Sequence, residues 1–411
     1  MAVMPTVSFF CFYYPPMARS RSRQIFAHGL AAQGFSVKVL SIANPHGFFN
    51  KFMMDTSMPQ DPPGVIVDRV HAPNWWALGE VLAQVGLIPD AQINWVRAVK
   101  LHWKEILKDQ KSILFGVYPP FADILLACWA KESTGWPLVI DYRDEFLSAS
   151  EKHPSRQQRK LFALERSALE AADIISVASA TIKQRLQARY GIAEERFCIT
   201  YNGYDLEFDM SDVGGELDHE GRSDDSVLNV VYAGAISQHQ RPEVLCEAYR
   251  FLMSKHPELQ GRINITFYGP DNYYYRHFFR RYLGQGMQYA GFLPYGKMQQ
   301  LLPSFDVGFF SLASDSYDYA MPRKLFDYMI AGLPILAALP DGEASQLVRQ
   351  LNIGKVSHYS DVDALADNLY RYAVDRNEIS KIRQKIRSVR DRYSLQKQVE
   401  ALSIRMKELV R

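Results

Sequence analysis

Short runs of β-branched and aromatic residues alternate with longer stretches of helical periodicity along most of the chain, and this alternation restricts the fold more than any other feature. A strand buried on both faces reads as an unbroken apolar run, and parallel strands need a crossover long enough to hold a helix. The pattern predicts strands over 7–13, 36–42, 65–70, 112–117, 137–142, 174–178 and 197–201, with helices over 19–33, 90–108, 120–134, 155–172 and 181–190. It stops between 209 and 226, where acidic residues with Gly214, Gly215 and Gly221 have the composition of a solvated connection. It then restarts, with strands over 228–233, 263–268, 287–289, 307–310, 334–338 and 355–358 and helices between them. The expected fold is α/β, with two Rossmann-like domains facing across a cleft. The expected boundaries are 1–208 for the first domain, 209–227 for an acidic linker and 228–390 for the second domain. A tail over 391–411 carries Leu395, Val399, Leu402, Ile404 and Met406 as an apolar stripe and is expected to pack back on the first domain.

Composition narrows the class. With 22% charged and 47% apolar residues over 411 positions the chain can bury sizeable cores, which excludes disorder and coiled coil as its main architecture. A net charge of +2 lacks the cation excess that binding a phosphate backbone demands, so no nucleic-acid partner is expected. Cys11, Cys128, Cys198 and Cys246 lie far apart with no C-x-x-C pair, fitting reduced thiols rather than zinc or a disulfide framework. The uncharged N-terminus is broken by Pro5, Pro15 and Pro16 and reads as a first strand, not a targeting segment. The apolar stretch 112–130 carries Pro119, Pro120 and Asp123, so no membrane-spanning helix is expected. A cytoplasmic protein follows, with peripheral contact at the inner face of a membrane through the locally basic stretches 19–23 and 100–111.

The segment 321–336 is the most informative. Pro322 favours a helix start, and Gly332 with Pro334 marks its end, so Arg323 and Lys324 lie at the N-terminal pole. A helix end supplies only about +0.5 charge, whereas a diphosphate carries about two negative charges, so holding it without metal requires such cations. Asp327, four residues after Arg323, shares its face and could accept both hydroxyls of a ribose. A plain surface Arg–Asp pair at helical spacing explains the same residues equally well.

This stretch closely resembles the nucleotide-sugar-binding helix of retaining GT-B glycosyltransferases of family 4, whose surface-polysaccharide members show P-x-K-L-F-E-Y followed by A-x-G-x-P-V. The resemblance implies that Arg323 or Lys324 holds the diphosphate and Asp327 the ribose, with Pro322 and Leu325 in the same donor motif. Asp replaces the family's Glu, and the first Glu of its E-x7-E pattern is Tyr319 here. The family's glycine loops correspond to Gly234 and Gly269, its usual cation is absent at Ala235 and Arg241 is a substitute, and Phe292 lies in the loop that holds the base. Tyr13-Tyr14-Pro15-Pro16 resembles the acceptor-side loop, where Arg19, Arg21 and Arg23 replace the usual glycines and could meet an anionic acceptor or mark a solvated helix start. Asp141-Tyr142-Arg143-Asp144-Glu145-Phe146 is similar to the D-x-R-D-x-W segment, and Tyr118 stands near where more distant members carry a histidine. Tyr118, Arg143 and Asp144 are therefore the catalytic candidates, against a structural Arg–Asp brace.

The resemblance implies a glycosyltransferase, hexosyl or N-acetylhexosaminyl in type, working in glycan or polysaccharide synthesis. It would move a sugar with retention from a UDP- or GDP-sugar to a hydroxyl on a glycan, a lipid-linked chain or a small molecule. No metal or other cofactor is expected: Asp361-Val362-Asp363 spells D-x-D but reads as a helix cap. A nucleotide-sugar 2-epimerase and a non-catalytic nucleotide-sugar-binding subunit are the alternatives. Tyr273–Arg281 and Trp75-Trp76 are aromatic clusters read as ordinary packing.

Overall fold

The structure, a computed structural model, describes residues 4–17, 20–43, 54, 60–72, 76–85, 87–106, 111–147, 155–204 and 227–410. The chain divides into two units, one of Met1–Asn202 with Leu395–Arg411, the other of Gly203–Ser394. These limits differ from the expected 208 and 390, and the connection over 209–227 lies outside the described residues except for Val227.

In the first unit seven parallel strands lie in the order β3-β2-β1-β4-β5-β6-β7. They are β1 (Thr6–Phe10), β2 (Ser36–Ile42), β3 (Val65–Val70), β4 (Ser112–Tyr118), β5 (Leu138–Tyr142), β6 (Ile174–Val177) and β7 (Phe197–Ile199). Helices α1 (Arg21–Ala32), α2 (Trp76–Gln84), α3 (Ile93–Ile106), α4 (Phe121–Thr134), α5 (Arg156–Ala171) and α6 (Ala180–Tyr190) connect them. Strands β4 and β5 are buried almost throughout, which is why they read as continuous apolar runs. The strand order reverses between β1 and β4, so the crevice for a ligand opens beyond Phe10 and Tyr118.

The second unit holds six parallel strands in the order β10-β9-β8-β11-β12-β13. Its elements run β8 (Leu228–Ala233), α7 (Glu243–Lys255), β9 (Ile263–Tyr268), β10 (Met287–Gly291), α8 (Tyr295–Leu301), β11 (Val307–Ser311), α9 (Arg323–Ile330), β12 (Ile335–Leu339), α10 (Glu343–Leu351), β13 (Gly354–His358), α11 (Val362–Val374) and α12 (Arg376–Val389). The reversal between β8 and β11 places its crevice beyond Ala233 and Ser311.

Several expectations change. Strand β1 stops at Phe10, because after Cys11 donates to the Leu40 carbonyl the chain turns through Phe12–Pro16. Helix α2 was not anticipated, and Trp75 lies outside the described residues. The stretch 273–283 is a π-turn (Tyr275–Phe279) followed by a 3₁₀ turn (Arg280–Tyr282) rather than one α-helix. The tail is broken by a 3₁₀ turn (Arg390–Tyr393) before α13 (Leu395–Glu408). In α13, Leu395, Val399, Leu402 and Met406 recur at helical spacing and are buried in the first unit's core, whereas Ile404 is exposed. Asp361 caps α11 by accepting from the Ala364 N–H at 2.9 Å, so the D-x-D spelling is a helix start. All four cysteines are free thiols. No helix among the described residues is long and apolar enough to cross a membrane.

Candidate active site

Helix α9 begins where the sequence marks it, with Pro322 at the N-cap in extended geometry and the first free turn formed by Arg323, Lys324 and Leu325. Its strongly one-sided pattern buries Leu325, Phe326, Tyr328 and Met329 and leaves Arg323, Lys324 and Asp327 toward the pole. Leu325, expected at the donor, is fully buried and its N–H donates to the Pro322 carbonyl at 3.1 Å, so its part is packing.

Lys324 reaches across to the β8 end. Its Nζ donates to the Tyr232 hydroxyl at 3.0 Å, bonds Gln240 Oε1, and lies 4.3 Å from the centre of the Tyr232 ring. Gly234, at φ +149°, makes room for this: a Cβ there would lie 2.1 Å from Lys324 Cε. The glycine serves the lysine stem, not an open approach to a ligand, since the Gly234 N–H donates to the Tyr268 carbonyl at 2.9 Å. Gly269 likewise donates to the Gly291 carbonyl at 2.9 Å, and a Cβ on it would strike the Gly234 carbonyl. Both backbone N–H groups are thus engaged within the loops. Arg241, with φ +42°, pairs with Glu247 on α7 at 3.2 Å; the glycine-loop residue at the cation is its neighbour Gln240.

Arg323 and Asp327 form the expected i, i+4 pair, with Nε 3.3 Å from Oδ1. Both side chains are mostly buried, and two more groups join them: Arg323 Nη2 donates to the Tyr295 hydroxyl at 2.6 Å, and that hydroxyl donates to Asp327 Oδ1 at 3.2 Å. Burial pushes the Asp327 carboxyl above its ordinary value, opposed first by Arg323. Sequence reasoning missed Tyr295; the Pro294 before it marks a helix start, but nothing local couples it to a residue 28 positions on. Phe292 precedes it with its ring half exposed. Tyr319, in place of the family's Glu, is buried. Its loop is held at Tyr317, whose hydroxyl lies 2.7 Å from His239 Nδ1, and at the Asp318 carbonyl, which accepts from the Glu343 N–H at 2.7 Å.

In the first unit the catalytic candidates separate. Arg143 is wholly engaged inside the sheet: Nε donates to Asp141 Oδ2 at 2.6 Å, Nη1 to the Thr200 carbonyl at 2.8 Å and Nη2 to Ser176 Oγ at 3.2 Å. It braces β5 and β6 to the exit of β7, the structural alternative to a catalytic role. Tyr118 is packed edge-on or tilted against Phe121, Tyr142 and Phe146, and burial with the Asp144 charge pushes its phenol further above the ordinary range. It cannot serve as a base near neutrality. Asp144 is exposed, and its Oδ1 accepts from the Glu145 N–H at 3.0 Å. Of the acceptor-side cations, Arg19 lies outside the described residues. Arg21 and Arg23 are buried, Arg21 donating to Gln24 Oε1 at 2.8 Å and Arg23 to the Pro119 carbonyl at 2.5 Å, so they do not form a solvent-facing cation row.

What the crevice of the first unit holds instead is Asp123. It is fully buried in the first turn of α4, with Oδ2 accepting from the Phe12 N–H at 2.8 Å and Oδ1 from Trp95 Nε1 at 3.0 Å. Burial pushes its carboxyl up to about 8 against the pull of these bonds and of Arg23. A carboxyl whose folded pKa exceeds its unfolded one retains its proton on folding. The stability it adds is complete below about 4 and is lost as pH rises through about 8. Asp123→Asn is expected to flatten the fall in Tm between pH 5 and 8.5, beneath a pH-independent cost from the lost second acceptor. Parallel Tm–pH curves for the two proteins would refute this. Among the described residues no group of three or more His, Cys, Asp or Glu side chains stands close enough to hold a metal ion.

Residues 24–208 match the model of Glycosyltransferase Family 4. No curated protein sequence matches the chain. Among solved structures, WaaG, a glycosyltransferase involved in lipopolysaccharide biosynthesis, superposes with a TM-score of 0.67 at 14% identity, covering 97% of this chain and 98% of that one. The Anabaena protein HepE in complex with UDP and glucose gives 0.63 at 14% identity, over 97% and 99% of the two chains. An E. coli trehalose-6-phosphate protein bound with UDP-2-fluoro glucose gives 0.73 at 11% identity, over 98% and 99%. At these identities the likeness concerns the fold, which is two Rossmann-like units of the GT-B type.

Proposed function

We propose that this chain, which matches the Family 4 model over residues 24–208, is a GT-B glycosyltransferase that transfers a sugar with retention of configuration from a nucleoside diphosphate donor to a hydroxyl acceptor in glycan synthesis. The observation that carries the reading is the placing of two cations, one of them paired with a buried carboxylate, at the pole of α9, beside the strand reversal of the second unit. Lys324 is bonded to a phenol and an amide, neutral groups that a diphosphate outcompetes, because a full negative charge attracts the ammonium more strongly than a dipole does. As the glycosidic bond breaks, negative charge grows on the diphosphate, and Lys324 and Arg323 stabilise it where it develops. Asp327 takes the ribose. No metal is needed for this charge balance, and a UDP- or GDP-linked hexose or N-acetylhexosamine fits it. The neighbour HepE binds UDP and glucose, which supports a uridine donor.

The decisive test is calorimetric titration with UDP and GDP in EDTA, followed by product analysis of UDP- and GDP-sugars with glycan acceptors. Nucleotide binding that disappears with EDTA, or donor epimerised without transfer, would sink the proposal.

The acceptor side bears on membranes. Leu78, Val81 and Val85 recur on one face of α2 and its exit and are about half exposed, Leu87 follows at 68% exposure, and Leu101 on α3 reaches 85% beside exposed Arg97 and Lys100. An aliphatic stripe next to cations suits an anionic bilayer surface carrying a lipid-linked acceptor. The basic stretch 19–23 cannot contribute as expected, since Arg21 and Arg23 are buried. Co-sedimentation with phosphatidylglycerol vesicles should be lost in Val81→Asp/Leu101→Asp; equal pelleting of both proteins, or of neither, would contradict it.

A further inference from the structure

The Asp327 oxygen that faces Arg323 is already engaged: Oδ1 accepts from Tyr295 and Arg323, and a ribose hydroxyl would compete for it. The Tyr295 hydroxyl sits between the two, taking a proton from Arg323 Nη2 at 2.6 Å and giving its own to Asp327 Oδ1 at 3.2 Å. Accepting from a cation while donating to a carboxylate is also what a ribose hydroxyl beside this pair would do. The direct Arg323–Asp327 contact is long, 3.3 Å through Nε alone, so the phenol and not the carboxylate holds the far end of the guanidinium. The ring itself is retained by another contact: the guanidinium carbon lies 4.7 Å from its centre. Its hydroxyl can thus leave Asp327 without the side chain losing its place. Tyr295 also opens α8 directly after the Phe292-Leu293-Pro294 loop, so its position is tied to the end of β10.

We propose that the Tyr295 phenol, bridging Arg323 and Asp327, occupies the place of a ribose hydroxyl in the free protein and is displaced when the nucleoside binds. Tyr295 then sets the affinity for the ribose portion of the donor and leaves the diphosphate portion to Lys324 and Arg323. The inference rests on the donor-site reading above, in which Asp327 takes the ribose.

Calorimetry on the full chain tests it with two probes, UDP and inorganic pyrophosphate, in wild type, Tyr295→Phe and Asp327→Asn. Removing the competing hydroxyl should tighten UDP binding about fivefold, the equivalent of one net hydrogen bond. Pyrophosphate affinity should change less than UDP affinity, and the Tm of the ligand-free variant should fall slightly, because Arg323 Nη2 loses its acceptor. UDP binding that is unchanged or weaker in Tyr295→Phe overturns the inference alone, provided wild type binds UDP and Asp327→Asn does not. Equal tightening of UDP and pyrophosphate also overturns it, because the phenol would then act only through Arg323. Wild type that binds UDP no better than Asp327→Asn removes the ribose role of Asp327, and the inference falls with that reading.

Discussion

Lys324→Ala should lower kcat/KM for sugar transfer by about 10²–10³-fold, the loss seen when one preplaced donor to a developing anion is removed. The side chain is placed for that role by three residues far from it in sequence: Gly234 clears its path, and Tyr232 and Gln240 hold its ammonium. Its bonds to Tyr232 and Gln240 are to neutral groups, so removing it orphans no carboxylate in these two contacts. The effect should fall on kcat as well as on KM, because charge on the leaving diphosphate is greatest in the transition state. Lys324→Arg should recover only part of the rate. The planar fork keeps the charge but must fit a path in which a single Cβ on Gly234 would lie 2.1 Å from the lysine stem. Steady-state kinetics with a saturating acceptor would decide the matter; an Ala variant within threefold of wild type would contradict the electrostatic role.

Gly342→Ala should be the most damaging single-methyl change near the site. The residue is extended, with φ −174°, so backbone preference does not demand glycine there. Space does: a Cβ would lie 2.1 Å from the Asp318 carbonyl oxygen and 2.5 Å from its Cα. These are backbone atoms, and they belong to the loop that continues through Tyr319 into Pro322 and the pole of α9. The methyl group must push the loop off α10 and break the Glu343 N–H bond to Asp318, shifting the start of α9 with it. A shift of about 1 Å in positioning groups costs on the order of 10²-fold in rate, and the overpacking itself costs about 1–3 kcal/mol. Transfer activity and Tm should therefore both fall. A variant with wild-type Tm and activity would show that the loop is not held against α10.

The pole of α9 was legible because its signals are local. Pro322, Arg323, Lys324 and Asp327 lie within one and a half turns, and their types and spacing mark a start, a charge and a shared face. The surrounding residues were misread where a group's availability depends on distant chain. Arg143 ends a strand and looked reactive, but Thr200, 57 positions away, and Ser176 absorb it. Arg21 and Arg23 looked like a solvated cation row, yet both are buried, and Arg23 lies over the Tyr13 ring and meets the Pro119 carbonyl 96 positions on. Asp123 looked like a residue that merely argued against a membrane span, and it is instead the buried acceptor that ties Phe12 and Trp95 to α4.

Periodicity and turn chemistry act between neighbours, so the amino-acid order alone determined the α/β alternation and the charged start of α9. Which donors and acceptors remain open to a ligand is set by hydrogen bonds across long sequence separations, since every buried polar group must find a partner wherever the fold brings one. Only the tertiary structure could therefore decide that Gly234 houses a lysine, that Gln240 rather than Arg241 meets it, and that Tyr295 stands between Arg323 and Asp327.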